Sequence, residues 1–323
     1  MAIDKLRILV TEADGFAGEA VALLQQVGDL ILADLDRPGL LAEVREADVL
    51  WVRLRHRIDA TVMVAAPRLK LIVSPTTGLN HLDLAEAERR GIRVLSLRSE
   101  TEFLKDVRAT AEHTLALILA LLRHVPAATV HVRNGGWERD LFKGRELYGK
   151  TIGVIGYGRL GRIVVQYLQA FDVHVLTADP HVEIEKIEQN VTLVPLNFLL
   201  QQADLVTLHV NLCEKTYQFF GRRQFMALKP GAWFINTARG ELVEEEALLE
   251  ALQSGHLAGA AVDVLSGENP AEMVGHPLIA YARTHDNLLI TPHIGGCTVE
   301  SMHKTECFLA ERLMNWIRDV DKS

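Results

Sequence analysis

Short apolar runs alternate with amphipathic stretches along the whole chain. This alternation is typical of βαβ units, in which parallel strands are buried and helices cover the sheet. In the first third of the chain, strands are predicted at residues 7–10, 30–33, 49–53, 71–73 and 93–95. A second series of strands is predicted at residues 151–155, 173–177, 205–209, 232–235, 260–264 and 288–290. The predicted fold class is therefore α/β.

The helical stretches indicate where one domain ends and the next begins. Amphipathic runs at residues 18–27 and 84–90 lie among the first strands, and a longer run at 110–123 precedes Pro126, which cannot continue a helix interior. The second strand series has the pattern of a complete doubly wound sheet. A final helix over 299–318 has no strand after it, so we expect it to pack on the first domain. At ~150 residues per domain, a chain of 323 residues fits two domains.

Composition narrows the class of protein. The chain carries 34 Lys and Arg against 42 Asp and Glu, a net charge of −8, and 49% of its residues are hydrophobic. These values are typical of a globular protein. Nucleic-acid binding needs clustered basic residues, and the longest apolar run, 115–122, is far shorter than the ~20 residues of a membrane span. We therefore expect neither nucleic acid nor a membrane as a partner.

The three cysteines, Cys213, Cys297 and Cys307, form no CxxC pair. An odd number without such a pair indicates neither a disulfide framework nor a zinc site. The first ten residues contain no long apolar segment followed by a cleavage site, which a secretory signal would need. These features predict a cytoplasmic protein without a bound metal.

A glycine-rich motif suggests a dinucleotide site. The sequence Gly156-Tyr157-Gly158-Arg159-Leu160-Gly161 directly follows a predicted strand and precedes a predicted helix, 162–171. In that position the first glycine allows a tight turn, the second lets the backbone approach a pyrophosphate, and the third lets helix and strand pack closely. Asp179 lies 23 positions after Gly156, where an acidic side chain binds the ribose of NAD and repels the 2′-phosphate of NADP. NAD is the expected cofactor, and a glycine-rich turn without a ligand is the alternative.

Three polar segments follow strands of the second series: NTARG at 236–240, Asp263 with Glu268, and TPHIGG at 291–296. Because ligands bind at the carboxyl ends of parallel strands, we expect Arg239, Glu268 and His293 to converge. An arginine can hold a carboxylate in a bidentate contact, a histidine can move a proton near pH 7, and a glutamate stabilises the imidazolium. This set suits the oxidation of a 2-hydroxy acid. Taken singly, each residue also fits a surface or packing role.

Together these segments resemble the NAD-dependent D-isomer specific 2-hydroxyacid dehydrogenases. The resemblance covers nearly the whole chain. It rests on TGLNHLD at 77–83, RATAE at 108–112, GYGRLG at 156–161, LKPG through INTARG at 228–240, AAVDVLSGENP at 260–270 and TPHIGG at 291–296. By that resemblance, Arg239 anchors the substrate carboxylate and 2-oxo group, and His293 is the general acid and base. Glu268 would pair with His293 and stabilise its protonated form.

The resemblance also implies binding residues. Cofactor contacts are expected from Thr77, Gly156, Gly158, Arg159, Leu160, Gly161, Asp179, Thr237, Ala238, Asp263, Gly295 and Gly296. The turn at Thr77 and Gly78 is expected to receive the substrate carboxylate through its backbone amides. Asp263 is expected to face the nicotinamide carboxamide.

The family architecture implies a flavodoxin-like substrate domain made of residues 1–106 and 299–323, into which a Rossmann NAD-binding domain of residues 107–298 is inserted. It also implies a homodimer whose interface contains helix 110–123 and the following segment to Trp137. An ordinary buried helix inside one domain is the alternative for residues 110–123.

The predicted function is hydride transfer between a D-2-hydroxy acid and its 2-oxo acid. One methylene in a pocket is worth only ~1–3 kcal/mol, so charged anchors must contribute most of the substrate choice. Arg53 and Arg98 are candidates for binding a second anion, which favours a phosphoglycerate dehydrogenase-like substrate over hydroxypyruvate or glyoxylate; a solvated arginine cluster is the alternative. A non-catalytic NAD(H)-binding scaffold is the rival outside the enzymes, since a fold does not fix a function.

Overall fold

The structure is a computed structural model that describes residues 6–183, 185, 187–268 and 273–320, without the side chains of the last two. Asn269 and Pro270 of the AAVDVLSGENP segment lie outside the described residues. The chain divides into two compact units, Met1–Val107 with Thr298–Ser323 and Arg108–Cys297. These limits lie within one residue of the domain limits expected from the sequence. Each unit is organised around its own parallel sheet.

The strands of the first unit are β1 (Leu6–Val10), β2 (Gly28–Leu32), β3 (Val49–Trp51), β4 (Leu71–Ser74) and β5 (Arg93–Ser96). Those of the second unit are β6 (Thr151–Ile155), β7 (His174–Ala178), β8 (Val191–Leu193), β9 (Leu205–Leu208), β10 (Ala232–Asn236), β11 (Leu257–Val262) and β12 (Leu288–Ile290).

The helices are α1 (Gly18–Leu24), α2 (Arg37–Glu43), α3 (Ala60–Ala65), α4 (Leu84–Arg89), α5 (Thr101–Leu104), α6 (Ala109–Leu122), α7 (Val125–Arg133), α8 (Arg159–Gln169), α9 (Leu196–Gln202), α10 (Arg222–Ala227), α11 (Glu245–Gln253), α12 (Pro277–Ala282) and α13 (Val299–Val320). Among the described residues, no single helix is both long and apolar enough to cross a membrane. The helical stretches Thr101–Leu122 and Val125–Arg133, which meet at a bend, reach the required length and apolar composition only when they are taken together.

The first unit is a five-stranded sheet in the order β2-β1-β3-β4-β5, the strand order of flavodoxin. The central strands β3 and β4 are buried along their whole length, and alternate residues of each strand point to opposite faces of the sheet. Ile8 and Val10 of β1 pack into a layer with α1 and α13, whereas Leu9 packs into the opposite layer. The packing of α13 against α1 confirms that the last helix returns to the first domain.

The second unit is a seven-stranded sheet in the order β12-β11-β10-β9-β6-β7-β8, with every neighbouring pair parallel. Read from β8, this is the Rossmann order with one strand added at the far edge. The chain direction across the sheet reverses between β6 and β9, and ligands bind beyond the carboxyl ends of strands at such a switch point. The fold therefore aims the glycine-rich loop after β6 at a ligand position.

Two features of the fold are absent from the sequence prediction, the strand β8 and the start of a new helix at Pro126. The edge strand β8 was not predicted, because it has three residues and only two of them are apolar. Pro126 lies in the first turn of α7, where its missing N–H has no partner to lose. The break between α6 and α7 comes instead from His124, which has a left-handed backbone (φ 53°).

An ion pair joins three parts of the first unit. Glu306 of α13 is 1% exposed, and its Oε1 accepts hydrogen bonds from the Arg53 guanidinium, one of them at 3.0 Å from Nε. Its Oε2 accepts from the backbone N–H of Ala17 at 2.8 Å. Arg53 also donates to the carbonyl of Asp14 at 3.0 Å. The pair thus connects α13 to the loop before α1 and to the segment after β3.

Replacing Glu306 by Ala is expected to lower the free energy of unfolding by about 3–5 kcal/mol, because it leaves the arginine charge without its buried partner. Urea denaturation followed by tryptophan fluorescence measures this value. The control is Glu311→Ala, at an exposed position of the same helix, which should change it by less than about 0.5 kcal/mol. Equal losses in the two variants would contradict the importance of the pair.

Candidate active site

The turn that carries Arg239 is held by the last residue of β10. The buried Asn236 side chain donates from Nδ2 to the Arg239 carbonyl at 2.8 Å and accepts from the Ala238 N–H at 3.0 Å. The hydroxyl of Thr237 lies 2.7 Å from that of Thr114 in α6. These bonds fix both ends of the turn, so the backbone from which the Arg239 side chain extends has a defined position.

The Arg239 guanidinium lies in partly desolvated surroundings. Its Nη1 donates to the Ala238 carbonyl at 2.6 Å. Burial lowers the pKa of Arg239, and the nearby Glu268 and Glu241 carboxylates oppose that shift. A guanidinium nevertheless stays protonated in proteins. The site therefore contains a permanent positive charge in a region where its attraction to an anion is stronger than in water.

His293 and Glu268 form a direct contact. The Nδ1 atom of His293 lies 2.5 Å from Oε2 of Glu268, while Oε1 accepts from the Leu265 N–H at 3.2 Å. His293 has a left-handed backbone, φ 53°, which is strained for a residue with a side chain and is found preferentially at functional sites. With the proton assigned to Nδ1, the Nε2 atom is the one placed to exchange a proton with a ligand.

The buried Asp263 carboxylate holds the turn that carries His293. Oδ1 accepts from the Thr291 hydroxyl at 2.6 Å and the Ile294 N–H at 2.9 Å, and Oδ2 accepts from the Gly295 N–H at 2.8 Å. The Nε2 atom of His113 lies 3.2 Å from Oδ1. Burial raises the pKa of Asp263, but the hydrogen bonds from these four groups outweigh it, so the net pKa is lowered. A contact from this side chain to the nicotinamide stays a prediction.

The glycine-rich loop after β6 leaves no room for side chains at two of its positions. A Cβ on Gly156, whose φ is 92°, would lie 2.5 Å from the His209 carbonyl oxygen, and one on Gly161 would lie 2.1 Å from the Gly156 carbonyl oxygen. A Cβ on Gly158 would meet nothing within 4 Å. The first and third glycines are therefore needed for packing, and the second borders open space at the N-terminus of α8, where an anion is favoured.

Asp179 follows β7 and is half-buried. One carboxylate oxygen accepts from the Tyr157 N–H and the other from the His181 N–H, both at 2.8 Å. An ionised carboxylate has about four acceptor sites, so Asp179 can still accept hydrogen bonds from ribose hydroxyls while it holds the glycine-rich loop.

Arg159 is the first residue of α8. Burial lowers the pKa of its guanidinium.

His209 follows β9, the strand beside β6. Its Nε2 atom lies 3.0 Å from the Thr207 hydroxyl. Burial lowers the pKa of His209 to about 4, because it disfavours the charged imidazolium. This imidazole is therefore neutral at physiological pH and adds no positive charge to the switch point.

The Thr77 and Gly78 turn belongs to the first unit. Thr77 is exposed, and the Gly78 carbonyl accepts from the Thr76 hydroxyl at 2.8 Å. The Ser74 hydroxyl lies 3.0 Å from the Thr76 hydroxyl and 3.0 Å from Nε2 of His81. The turn is thus shaped by a chain of side-chain hydrogen bonds, and its predicted contacts to substrate and cofactor stay predictions.

The two arginines predicted to bind a second anion differ in their surroundings. Arg53 is bonded to the buried Glu306, so its charge already has a partner within the first unit. Arg98 is exposed, and its backbone N–H donates to the Ser96 hydroxyl at 3.3 Å. A structural role explains Arg53 better than substrate binding does, and Arg98 retains the features of an anion-binding candidate.

Sequence reasoning missed Asn236, His113 and Thr291. Asn236 carried a local signal, because an asparagine at a strand end can hydrogen-bond the turn that follows. His113 carried none, because it lies in a helix and its partner Thr291 is 178 positions away. Long-range partners of this kind become visible only in the folded chain.

Asp263→Asn is expected to lower the free energy of unfolding at pH 7 by about 1–3 kcal/mol. The folded-state pKa of Asp263 is below its ordinary value of 3.8. Its stabilising contribution is therefore present above pH 3.8 and is lost as the pH falls through the folded-state pKa. Urea denaturation from pH 7 to pH 3 should show a constant difference from wild type down to about pH 5 and a shrinking one below about pH 4.

The control for this measurement is Asp286→Asn, at an exposed position of the same unit, which should follow wild type at every pH. A difference between Asp263→Asn and wild type that does not vary down to pH 3 would contradict the lowered pKa of Asp263.

Comparison with known proteins identifies the family. Residues 115–295 match the NAD binding domain of the D-isomer specific 2-hydroxyacid dehydrogenases. The chain is 37% identical to D-3-phosphoglycerate dehydrogenase of Methanocaldococcus jannaschii over 97% of its own length and 58% of that protein. It is 33% identical to hydroxypyruvate reductase of Thermotoga maritima over 91% of its length and 94% of that protein.

Solved structures agree with this result. D-lactate dehydrogenase from Aquifex aeolicus, complexed with NAD and lactic acid, superposes with a TM-score of 0.82 at 26% identity, covering 97% of this chain and 96% of that one. The chain spans little more than half the length of the phosphoglycerate dehydrogenases that it matches, 56–58%. The resemblance drawn from the sequence motifs is confirmed, and the chain belongs to the D-isomer specific 2-hydroxyacid dehydrogenase family.

Proposed function

We propose that this protein is an NAD-dependent oxidoreductase that interconverts a D-2-hydroxy acid and its 2-oxo acid. The observation that carries the proposal is the 2.5 Å contact between His293 and Glu268 in the unit that also holds Arg239. A proton-transfer group paired with a carboxylate, together with a fixed cation, is the set that this chemistry requires. Among the described residues, Cys213, Cys297 and Cys307 form no disulfide. This agrees with our proposal that the protein is cytoplasmic, since thiols stay reduced there.

The residues of the second unit fit NAD. Gly158 borders open space at the N-terminus of α8, which suits a pyrophosphate. Asp179 lies at the end of the neighbouring strand, where its carboxylate suits the two ribose hydroxyls of the adenosine half. When bound, the nicotinamide supplies a hydride acceptor for oxidation or a hydride donor for reduction.

Arg239 has the charge and placement to bind the substrate carboxylate and to polarise the 2-oxo group. Its turn is fixed by Asn236, so little freedom is lost when a substrate binds. Among the described residues its guanidinium donates to a neutral carbonyl and forms no salt bridge, although Glu268 and Glu241 lie nearby, so its charge is available to an anion.

His293 would move the proton of the substrate hydroxyl. In the oxidative direction Nε2 accepts that proton, and in the reductive direction it returns the proton to the 2-oxo oxygen. Glu268 holds the ring through Nδ1, which fixes its orientation and stabilises the imidazolium that forms during oxidation.

We propose a phosphoglycerate dehydrogenase-like substrate, a phosphorylated three-carbon acid, with hydroxypyruvate or glyoxylate as the alternative. Similarity to phosphoglycerate dehydrogenases and the exposed Arg98 support the first choice. The engagement of Arg53 by Glu306 favours the alternative, because it removes one of the two proposed anion anchors.

The experiment that tests both choices is steady-state NADH oxidation across 2-oxo acids, from glyoxylate, pyruvate and hydroxypyruvate to 2-oxoglutarate and 3-phosphohydroxypyruvate. Preference for the phosphorylated acid, lost in Arg98→Ala, would support the first choice. Preference for the small monoacids would support the alternative. Bound NADH without turnover on any acid would favour a non-catalytic NAD(H)-binding scaffold.

His293→Gln is expected to lower kcat by about 10²–10⁴-fold, the usual contribution of a general acid and base. The Kd for NADH, measured by fluorescence titration, should stay near the wild-type value. The control is His174→Gln, at an exposed position at the start of β7, which should retain kcat. A His293→Gln enzyme with wild-type kcat would remove His293 from the mechanism.

Replacing Asp179 by Asn or Ser is expected to reduce kcat/KM for NADH by about ten- to a hundredfold, the value of a hydrogen bond to a charged group. The loss should be smaller for NADPH, because the repulsion of its 2′-phosphate also disappears. The Asn variant separates charge from structure, since its amide oxygen can still accept from Tyr157. A wild-type preference for NADPH would show that the ribose argument is wrong.

We also propose that the protein is a homodimer. α6 is mostly buried within the second unit, as an ordinary intradomain helix would be. The residues that follow it expose large apolar side chains, however: Val125, Val130, Val132, Trp137, Leu141 and Tyr148. Trp137, the largest of them, is 84% exposed. A segment that exposes several large apolar side chains is typical of an interaction surface, and a second copy of this chain is the proposed partner.

The double variant Trp137→Glu with Leu141→Glu is expected to be monomeric, because buried charges would oppose association. Sedimentation velocity measures the change. Val64→Glu, at an exposed apolar position of the first unit, should leave the dimer intact. A monomeric wild-type protein, or a dimeric double variant, would contradict this surface as the interface.

A further inference from the structure

The loop that carries Glu268 is hydrogen-bonded to a pair of half-buried ionisable residues, Glu245 and His276. Glu245, the first residue of α11, accepts from the Ser266 N–H through Oε1 at 2.8 Å. Its other oxygen, Oε2, lies 3.1 Å from Nε2 of His276. Glu245 therefore spans the distance between the segment before α12 and the loop two residues before Glu268.

The same loop touches the Arg239 turn. A Cβ on Gly240 would lie 2.0 Å from the Leu265 carbonyl carbon and 2.3 Å from the Ser266 nitrogen. The residue that follows Arg239 is thus packed directly on the Leu265–Ser266 peptide. The N–H of this peptide donates to Glu245. This one peptide of the Glu268 loop therefore contacts both the Arg239 turn and the Glu245–His276 pair.

The preceding peptide, Val264–Leu265, is hydrogen-bonded to the acid–base pair. The Leu265 N–H donates to Oε1 of Glu268 at 3.2 Å, and Oε2 of Glu268 contacts Nδ1 of His293. A movement of the Leu265–Ser266 segment would therefore change the position of the Glu268 carboxylate. A small cavity whose lining includes Glu245, Asn236 and Gly240 lies beside Leu265.

We propose that Glu245, oriented by His276, is a positioning residue for the acid–base pair. It fixes the position of the Glu268 carboxylate relative to His293, and the position of both side chains relative to Arg239. The proposal rests on the proposed function for its catalytic consequence, although the positioning of His293 can be measured without a substrate. The Nδ1 bond to Glu268 fixes the tautomer of His293, so loss of the positioning should be visible in the ring itself.

Burial is part of the arrangement. Desolvation raises the pKa of Glu245, as does the nearby Glu241 carboxylate, while the Ser266 N–H and His276 lower it. A charge in such surroundings is favourable only when both oxygens have partners. The Glu245 carboxylate is therefore fixed in one orientation, with one oxygen on the Ser266 N–H and the other on His276.

The first test is Glu245→Ala, with Glu246→Ala as the matched control at an exposed position one residue along α11. Misplacement of a reacting group by about 1 Å can reduce the rate by about a hundredfold, so kcat should fall by about ten- to a hundredfold while the KM for NADH stays near wild type. Glu245→Gln, which keeps an acceptor for the Ser266 N–H, should recover most of the loss. Wild-type kcat in Glu245→Ala would overturn the proposal, as would equal losses in the Ala and Gln variants.

The second test needs no turnover. Long-range 1H–15N spectra of histidine-labelled protein distinguish a protonated Nδ1 from a protonated Nε2, and the His293 signals are assigned by their absence in His293→Gln. Wild type and Glu246→Ala should show the Nδ1-protonated form of neutral His293, and Glu245→Ala should show a mixture of tautomers. An unchanged His293 tautomer in a folded Glu245→Ala protein would overturn the positioning role, whether or not the wild type turns over any acid tested.

His276→Phe provides the same information if Glu245→Ala does not fold. This variant removes the partner of Oε2 but keeps a ring of similar shape, so Glu245 loses its orientation. The tautomer of His293 should again become mixed, and kcat should fall by a few-fold to tenfold. Wild-type values of both quantities in His276→Phe would overturn the part assigned to His276.

Discussion

The buried carboxylate of Asp263 is the interaction on which the rest of the candidate site depends. It accepts hydrogen bonds from the turn after β12 and contacts His113 of α6, so it joins two strand ends and a helix. This turn places His293 in a left-handed conformation, which costs about 1–2 kcal/mol for a residue with a side chain. The hydrogen bonds to Asp263 offset that cost, and they keep the imidazole where Glu268 can reach it.

Two arginines show how the surroundings decide the use of one residue type. Arg53 is bonded to a buried glutamate within its own unit, so its charge is neutralised and serves stability. Arg239 bonds a neutral carbonyl, so its charge is still available to an anion. Residue type and position after a strand are similar in both cases. The difference comes from Glu306, which is 253 positions from Arg53 in the sequence.

The strand and helix pattern was predictable because it depends on local periodicity. The strands at 151–155 and 288–290 have the predicted limits, whereas β11 begins three residues earlier than predicted and β8 was not predicted at all. The edge strands β8 and β12 both have three residues, but β12 is wholly apolar whereas β8 contains the exposed Thr192, so the apolar signal of β8 is weaker. Pro126 correctly indicated that α6 ends before it. The sequence did not show that the next helix begins there, since a proline ends one helix or begins the next depending on the backbone before it.

The sequence by itself determined the fold class, the glycine-rich loop and the residue types of the site, because each depends on short spacings that the chain fixes locally. The tertiary structure decided which polar residues meet. Asp263 with His113, Arg53 with Glu306, and Glu245 with His276 are pairs from distant segments, and each is formed by the packing of strands and helices. A hydrogen bond tolerates a change of only a few tenths of an ångström in its donor–acceptor distance. The spacing of two residues in the sequence does not determine their distance in the folded domain to that precision.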